Sequence, residues 1–125
     1  MVREAKTVTE TEFAILEVLW DKGPTTVREI VEIVYGEHTH SLHAGVKSLL
    51  ERLGDKEFVV CQRQGGAHLF AATVGRKEFV AQQLQVLADS NFGGSLTPLL
   101  MTLIDNVKLA RNDREAIRRI VEKID

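Results

Sequence analysis

In the first part of the chain, three segments have apolar residues at the three- to four-residue spacing of an amphipathic α-helix. In "TVTETEFAILEVLWDKG", apolar residues recur every three or four positions after Thr9 or Thr11, and a Gly-Pro pair follows. Thr25 or Thr26 then caps a second amphipathic segment, "TVREIVEIVYG". A third helix follows, and the residues of its apolar face are Leu42, Val46, Leu49, Leu50 and Leu53.

The spacing of apolar residues along the chain changes after the third helix. Residues 57–63 and 67–73 are rich in β-branched and aromatic residues, and the glycines between them suit a tight turn. This pattern predicts a β-hairpin. Three helices followed by a hairpin is the order of a winged helix-turn-helix, so we expect a mainly α fold with a small β-hairpin.

The pattern is helical again after Gly75, in three short segments that each have one apolar face. Ser95 can cap the second segment, and Asn112 or Asp113 the third. Helices this short are not stable alone, and closed two-fold dimers are the commonest oligomers. We therefore expect a helical dimerisation region over residues 76–125, with contacts from Phe79, Leu84, Leu87, Leu99, Leu100, Leu103, Ile117, Ile120 and Val121.

Composition and charge limit the function classes. No apolar run approaches the roughly 18 residues of a membrane span, and residues 1–13 contain no apolar leader, so a cytoplasmic protein is expected. The net charge is −2, so any nucleic-acid binding must come from a local patch. Cys61 is expected to be a small buried hydrophobic residue. The sequence contains no catalytic arrangement, and we expect neither an enzyme nor a cofactor.

Three of the four histidines lie at the start of the third helix: His38, His40 and His43. They could bind a metal, but zinc sites usually need three or four ligands, and Glu37 is the only carboxylate close by in the sequence. Recognition helices present their first turns to the major groove of DNA. We therefore favour a DNA-facing helix, with a metal-responsive regulator and a plain solvated helix start as alternatives.

Five segments together resemble the penicillinase repressor family of bacterial transcription regulators, also called BlaI/MecI/CopY. They are "VTETEFAILEVLWDKG", "TVREIVEIV", "GVKSLLERLGDKEFV", "RQGGAHLFAATV" and "FGGSLTPLL", and they cover nearly the whole chain. The resemblance implies a homodimeric repressor of a palindromic operator, with a winged-helix DNA-binding domain over residues 1–75. In some members a membrane metalloprotease sensor relays an antibiotic signal and the repressor is cleaved. The paired cysteines of copper-responsive members are absent here.

The resemblance also implies which residues face DNA. The third helix would enter the major groove, and the wing, which is the part of the hairpin around Gln64 to His68, would touch the DNA backbone or the minor groove. The expected DNA contacts are Arg28, His40, Ser41, His43, Ala44, Lys47, Ser48, Arg63, Gln64 and His68.

Two departures from the family pattern bear on function. Ala44-Gly45 stands where the family commonly has Thr-Thr, and Thr102-Leu103 stands where the penicillinase repressors have the Asn-Phe bond that is cut. The first departure, with the acidic N-terminal half, motivates a second alternative: a winged helix that binds a protein partner and has weak or no affinity for DNA.

Overall fold

The protein is described by a computed structural model over residues 7–123, which form two compact units. Residues 1–6 and 124–125 lie outside the described range, and with them lies part of the N-terminal segment that was expected to contain no apolar leader. The first unit runs to Phe79 and the second begins at Val80. The elements, in chain order, are α1 (Glu10–Lys22), α2 (Val27–Tyr35), α3 (His40–Asp55), β1 (Val59–Gln64), β2 (Ala67–Ala72), α4 (Arg76–Asn91), α5 (Leu96–Asn106) and α6 (Arg111–Glu122).

The first unit has the predicted winged helix-turn-helix architecture. Strands β1 and β2 pair antiparallel, with Arg63 opposite His68 and Gln64 opposite Ala67. Gly65 and Gly66 form the turn with φ of 55° and 81°, a left-handed backbone that glycine adopts without steric cost. The connection between α1 and α2 joins this sheet, because Thr25 and Phe70 exchange two backbone hydrogen bonds of 3.0 and 2.9 Å.

Side-chain caps explain where the helices of this unit begin. Thr9 caps α1 in a reciprocal capping box: its hydroxyl accepts from the Glu12 backbone N–H, and the Glu12 carboxylate accepts from the Thr9 backbone N–H. Thr26 caps α2, and Thr39 caps α3 by accepting from the Leu42 backbone N–H at 3.1 Å. The sequence offered two candidates at each of the first two caps, and the structure selects Thr9 and Thr26.

The predicted apolar stripes meet in one core. On α3, Val46, Leu50 and Leu53 are buried, and Leu42 and Leu49 are partly buried against them. The cluster is completed by Phe58 just before β1, by Phe79 of α4 and by buried residues of α1, α2 and β1: Ile15, Leu16, Val18, Leu19, Ile30, Val31 and Val59. This apolar burial holds α3 so that its opposite face points to solvent.

Phe79 corrects one expectation for the dimer interface. Its side chain is 1% exposed and lies in the core of the first unit, with ring centroids 5.0 Å from Phe58, 5.5 Å from Trp20 and 6.0 Å from Phe13. The first turn of α4 therefore belongs to the first unit, and Phe79 is already covered by its own chain. An aromatic residue on an amphipathic helix gives no sign in the sequence of which neighbour it packs against.

Three further expectations were wrong in detail. Strand β1 begins at Val59 and not at residue 57, because Glu57 has φ of 69°, outside the extended region. Helix α6 begins at Arg111 after Ala110, so Asn112 and Asp113 lie in its first turn and not at its cap. Cys61 is exposed on the hairpin and not buried.

The second unit contains the rest of α4, with α5 and α6. Gly93 and Gly94, with φ of 61° and 88°, end α4 and begin the turn to α5. Ala88, Leu99 and Ile104 are buried, whereas Leu84, Leu87 and Ile120 are 40%, 47% and 53% exposed. Within residues 7–123, we find no helix with the length and apolar character needed to cross a membrane.

Candidate nucleic-acid interface

The outer face of α3 carries most of the residues expected to contact DNA. His40, Ser41, Ala44, Lys47 and Ser48 are all exposed on this face. Their positions follow from the burial of the leucine stripe on the opposite side. The structure thus presents the α3 residues together on one accessible surface.

Small side chains leave the middle of this face open. Ala44 and Gly45 are exposed, and a Cβ atom built on Gly45 would meet nothing within 4 Å apart from its chain neighbours and the backbone of its own helix. Glycine in a helix interior is destabilising by roughly 0.5–1 kcal/mol relative to alanine, and no packing contact accounts for it here. At this point another molecule could approach the α3 backbone closely.

A cleft beside α3 brings residues from three elements together. It has a volume of about 370 Å³ and opens to solvent between the N-terminus of α2, one side of α3 and strand β2. Its lining side chains are Thr26, Val27, Arg28, His43, Lys47, His68 and Phe70. Arg28, His43, Lys47 and His68, which are far apart in the sequence, were all expected to contact DNA, and the fold gathers them around this one space.

The chemistry of the cleft suits an anion. Arg28 and Lys47 carry positive charge, His43 and His68 can gain it, and no carboxylate in the described part of the chain lines the cleft. The Nε atom of Arg28 lies 2.9 Å from a carboxylate oxygen of Glu32, one helical turn away. Both side chains are exposed, so this pair is weak and leaves the guanidinium able to bind another anion.

The wing places its polar residues at an exposed edge. Arg63, Gln64 and His68 are exposed, and Nε of Arg63 donates to Nε2 of His68 at 3.4 Å across the hairpin. The Cys61 sulfur lies 3.8 Å from Nδ1 of the same imidazole. Because side chains alternate along a strand, Cys61 and Arg63 share one face of β1, and that face is open to solvent.

The histidines at the start of α3 form a pair and not a group of three. Nε2 of His38 lies 3.0 Å from Nδ1 of His43, and the two rings meet edge to face with centroids 5.2 Å apart. His40 is exposed on the outer face of the helix. Within residues 7–123, no group of three or more His, Cys, Asp or Glu side chains could hold a metal ion. The three-histidine metal site is therefore not supported by the arrangement of these side chains.

Sequence reasoning missed two parts of this site. His38 was considered as a metal ligand, but its contact with His43 was not expected, because the two residues lie on either side of the α3 cap. Thr26, Val27 and Phe70 were assigned to a cap, an apolar stripe and a strand, and they also line the cleft. The pairing of β2 with Thr25 brings Phe70 close to Thr26 and Val27, and no local sequence pattern predicts this pairing.

Comparison with known proteins places the chain among repressors. The sequence pattern of the penicillinase repressor family matches residues 8–123. The transcriptional regulator BlaI of Mycobacterium tuberculosis is 28% identical over 116 residues, which cover 91% of this chain and 82% of that protein. An uncharacterised 16.5 kDa protein of Latilactobacillus sakei is 23% identical over 113 residues, covering 90% of this chain and 77% of that one.

A solved structure of a Lactococcus lactis ZitR variant superposes with a TM-score of 0.49 at 17% identity, covering 98% of this chain and 76% of that chain. The family assignment rests on the sequence match, which extends over both compact units. The chain belongs to the penicillinase repressor family, whose members are DNA-binding transcriptional regulators and not enzymes.

Proposed function

We propose that this repressor binds a palindromic operator as a homodimer, with α3 in the major groove and the wing on the DNA backbone. The observation that carries the proposal is the cleft in which Arg28, His43, Lys47 and His68 converge without a carboxylate among the described lining residues. The whole chain has a net charge of −2, so this local concentration of basic groups supplies the attraction to phosphate that the overall charge does not.

The residues divide into those that position the protein and those that read bases. Arg28, Lys47, Arg63 and His68 would contact phosphates, which fix register without carrying sequence information. His40, Ser41 and Ser48 would meet base edges, with Ala44 contributing apolar contact. Gln64, beside the hairpin turn, would contact the backbone or the minor groove. Occupation of the operator would block a promoter.

A gel-shift titration with operator-region DNA from the protein's own genome tests this assignment. Lys47→Ala should weaken binding on all sequences and lower the salt dependence by about one released counterion. Lys22→Ala is the matched control, since Lys22 is exposed at the end of α1 and does not line the cleft. No shift beyond non-specific binding would refute the operator assignment and favour the protein-interaction alternative.

The second unit supports the dimer by its apolar surface. Leu84, Leu87 and Ile120 remain substantially exposed, and Leu100, Leu103, Ile117 and Val121 are partly buried. Leu99 is buried within the unit and would contribute through its fold, and Phe79 has no place in the interface. Sedimentation of Leu87→Asp should show monomers at concentrations where the unaltered protein and the control Gln82→Asp are dimers.

Support for a membrane metalloprotease sensor is confined to the family resemblance. The Thr102-Leu103 bond lies inside α5, and the Thr102 hydroxyl donates to the Pro98 carbonyl at 2.8 Å. A protease would have to unwind this helix to reach the bond. Co-expression with a metalloprotease sensor encoded beside the gene, followed by mass measurement of the chain, tests whether cleavage occurs there.

A further inference from the structure

The contact between His38 and His43 restricts where their protons can be. Nε2 of His38 and Nδ1 of His43 are 3.0 Å apart, so one nitrogen must carry a hydrogen and the other must offer a lone pair. Because Nδ1 of His43 is engaged in this way, Nε2 is the ring nitrogen that remains for a ligand. His43 also lines the cleft beside Arg28, Lys47 and His68.

We propose that His38 is a positioning residue: it holds Nδ1 of His43 so that the Nε2–H of His43 donates to one phosphodiester group of the DNA backbone seated in the cleft. This inference rests on the proposed function. It adds a residue that orients His43 and a proton that is taken up when DNA binds. Phosphate is the favoured ligand because the lining offers cations and N–H donors, and no described carboxylate competes for them.

A 3.0 Å contact between these nitrogens fits two neutral arrangements. With His43 as the donor, its Nε2 would face the cleft as a lone pair and repel a phosphate oxygen, so phosphate selects the arrangement in which His38 donates from Nε2 to Nδ1 of His43 and His43 carries its own hydrogen on Nε2. With one added proton, His43 donates from Nδ1 to His38 and keeps the hydrogen on Nε2. Both states therefore donate into the cleft, and the protonated state adds a positive charge. A second proton would place two N–H groups face to face at 3.0 Å, and the contact would open.

Charged groups around His43 link this proton to DNA binding. Arg28 of α2, Lys47 of α3 and His68 of β2 face the same cleft as His43. The Glu32 carboxylate on α2 pairs with Arg28. A phosphate in the cleft favours a positive charge on His43, so binding should take up a proton in the range between pH 5 and 8 where histidine changes charge.

The test is a set of DNA titrations by fluorescence anisotropy at pH 8, 7 and 6 and constant ionic strength. The unaltered protein should gain about three- to ten-fold in affinity from pH 8 to 6, the scale of the net contribution of one typical hydrogen bond. His43→Ala should lose most of this gain. His38→Ala should also lose it and should add little when combined with His43→Ala, because both act on one contact.

Two further variants separate positioning from a general structural role. His38→Gln offers an amide N–H to Nδ1 of His43 and should recover affinity at pH 8 but not the full pH dependence. His40→Ala is the control for coupling: His40 lies on the outer face of α3, so its effect should add independently to that of His38→Ala. Circular dichroism confirms that each variant is folded. Additive effects of His38→Ala and His43→Ala would overturn the inference.

Imidazole ¹⁵N spectra give a direct readout. His43 should carry its hydrogen on Nε2 at pH 8 and lose this preference in His38→Ala, and operator DNA should shift the Nε2 resonance. A hydrogen on Nδ1 of neutral His43, or the same shift with inorganic phosphate alone at equal ionic strength, would overturn the assignment to a backbone phosphate. Failure of the unaltered protein to bind DNA at any pH would instead refute the proposed function.

Discussion

Nζ of Lys56 lies 3.1 and 3.0 Å from the two carboxylate oxygens of Glu12, and this contact joins the end of α3 to the first turn of α1. Glu12 is 1% exposed and also accepts the backbone N–H of Thr9 at 2.9 Å. Burial raises the pKa of the Glu12 carboxyl, but the hydrogen bonds from Thr9 and Lys56 lower it by more, so the pKa lies below the usual 4.5.

Glu12→Gln should destabilise the protein at pH 7 by roughly 1–3 kcal/mol, because it leaves the Lys56 ammonium without its charged partner. The folded pKa of Glu12 is depressed, so its contribution is present above about pH 4.5 and is lost as the pH falls through the folded value. Urea unfolding should therefore show a difference between the two proteins that shrinks below pH 4.5. Glu10→Gln, in the exposed part of the same first turn, is the control. A difference that did not change with pH would contradict the ion-pair explanation.

Phe79→Ala should lower the free energy of unfolding of the winged-helix unit by about 3–5 kcal/mol. The reason is that it empties the space that the Phe79 ring fills between Phe13, Trp20 and Phe58. Val80→Ala, at the next position but 40% exposed, should have a much smaller effect on the free energy of unfolding. Denaturant unfolding monitored by Trp20 fluorescence measures both. Equal effects would mean that Phe79 does not belong to this core.

Gly45→Ala should raise stability by roughly 0.5–1 kcal/mol, since the added methyl group meets no other part of the protein within 4 Å beyond its own helix and alanine favours the helix. If DNA approaches the α3 backbone at this point, the same methyl group should weaken operator binding. Gly54→Ala, near the end of α3, should stabilise without changing affinity, and its Cβ would meet only the Val59 carbonyl at 3.9 Å. Unchanged DNA affinity in Gly45→Ala would show that the open surface is not used for close approach.

Much of the fold could be predicted because local signals and the final contacts agree. The leucine spacing on α3, the Thr9 and Thr26 caps and the Gly65-Gly66 turn each depend on residues within a few positions. The exposed face of α3 follows from the same periodicity, which is why His40, Lys47 and Ser48 were correctly placed on one surface. Whether they contact DNA remains a prediction.

The remaining features depend on contacts between residues that are distant in the sequence or on uncommon backbone geometry. Glu57 adopts a left-handed φ although it is not glycine, so the start of β1 was predicted two residues too early. Helix α6 begins after Ala110, whose side chain cannot cap, and the sequence favoured the polar residues just beyond it. The cleft required β2 to meet the N-terminus of α2, which no periodicity encodes.

The two backbone hydrogen bonds between Thr25 and Phe70 have a consequence for how the protein moves. Thr25 is buried, and its amide should exchange with solvent through openings that detach the wing from the turn before α2, or through global unfolding. Such an opening also takes His68 and Phe70 away from Arg28, so the cleft exists only while this bridge is closed. The exchange rates of these two amide protons therefore report, in the free protein, the fraction of time for which the cleft is assembled before any DNA arrives.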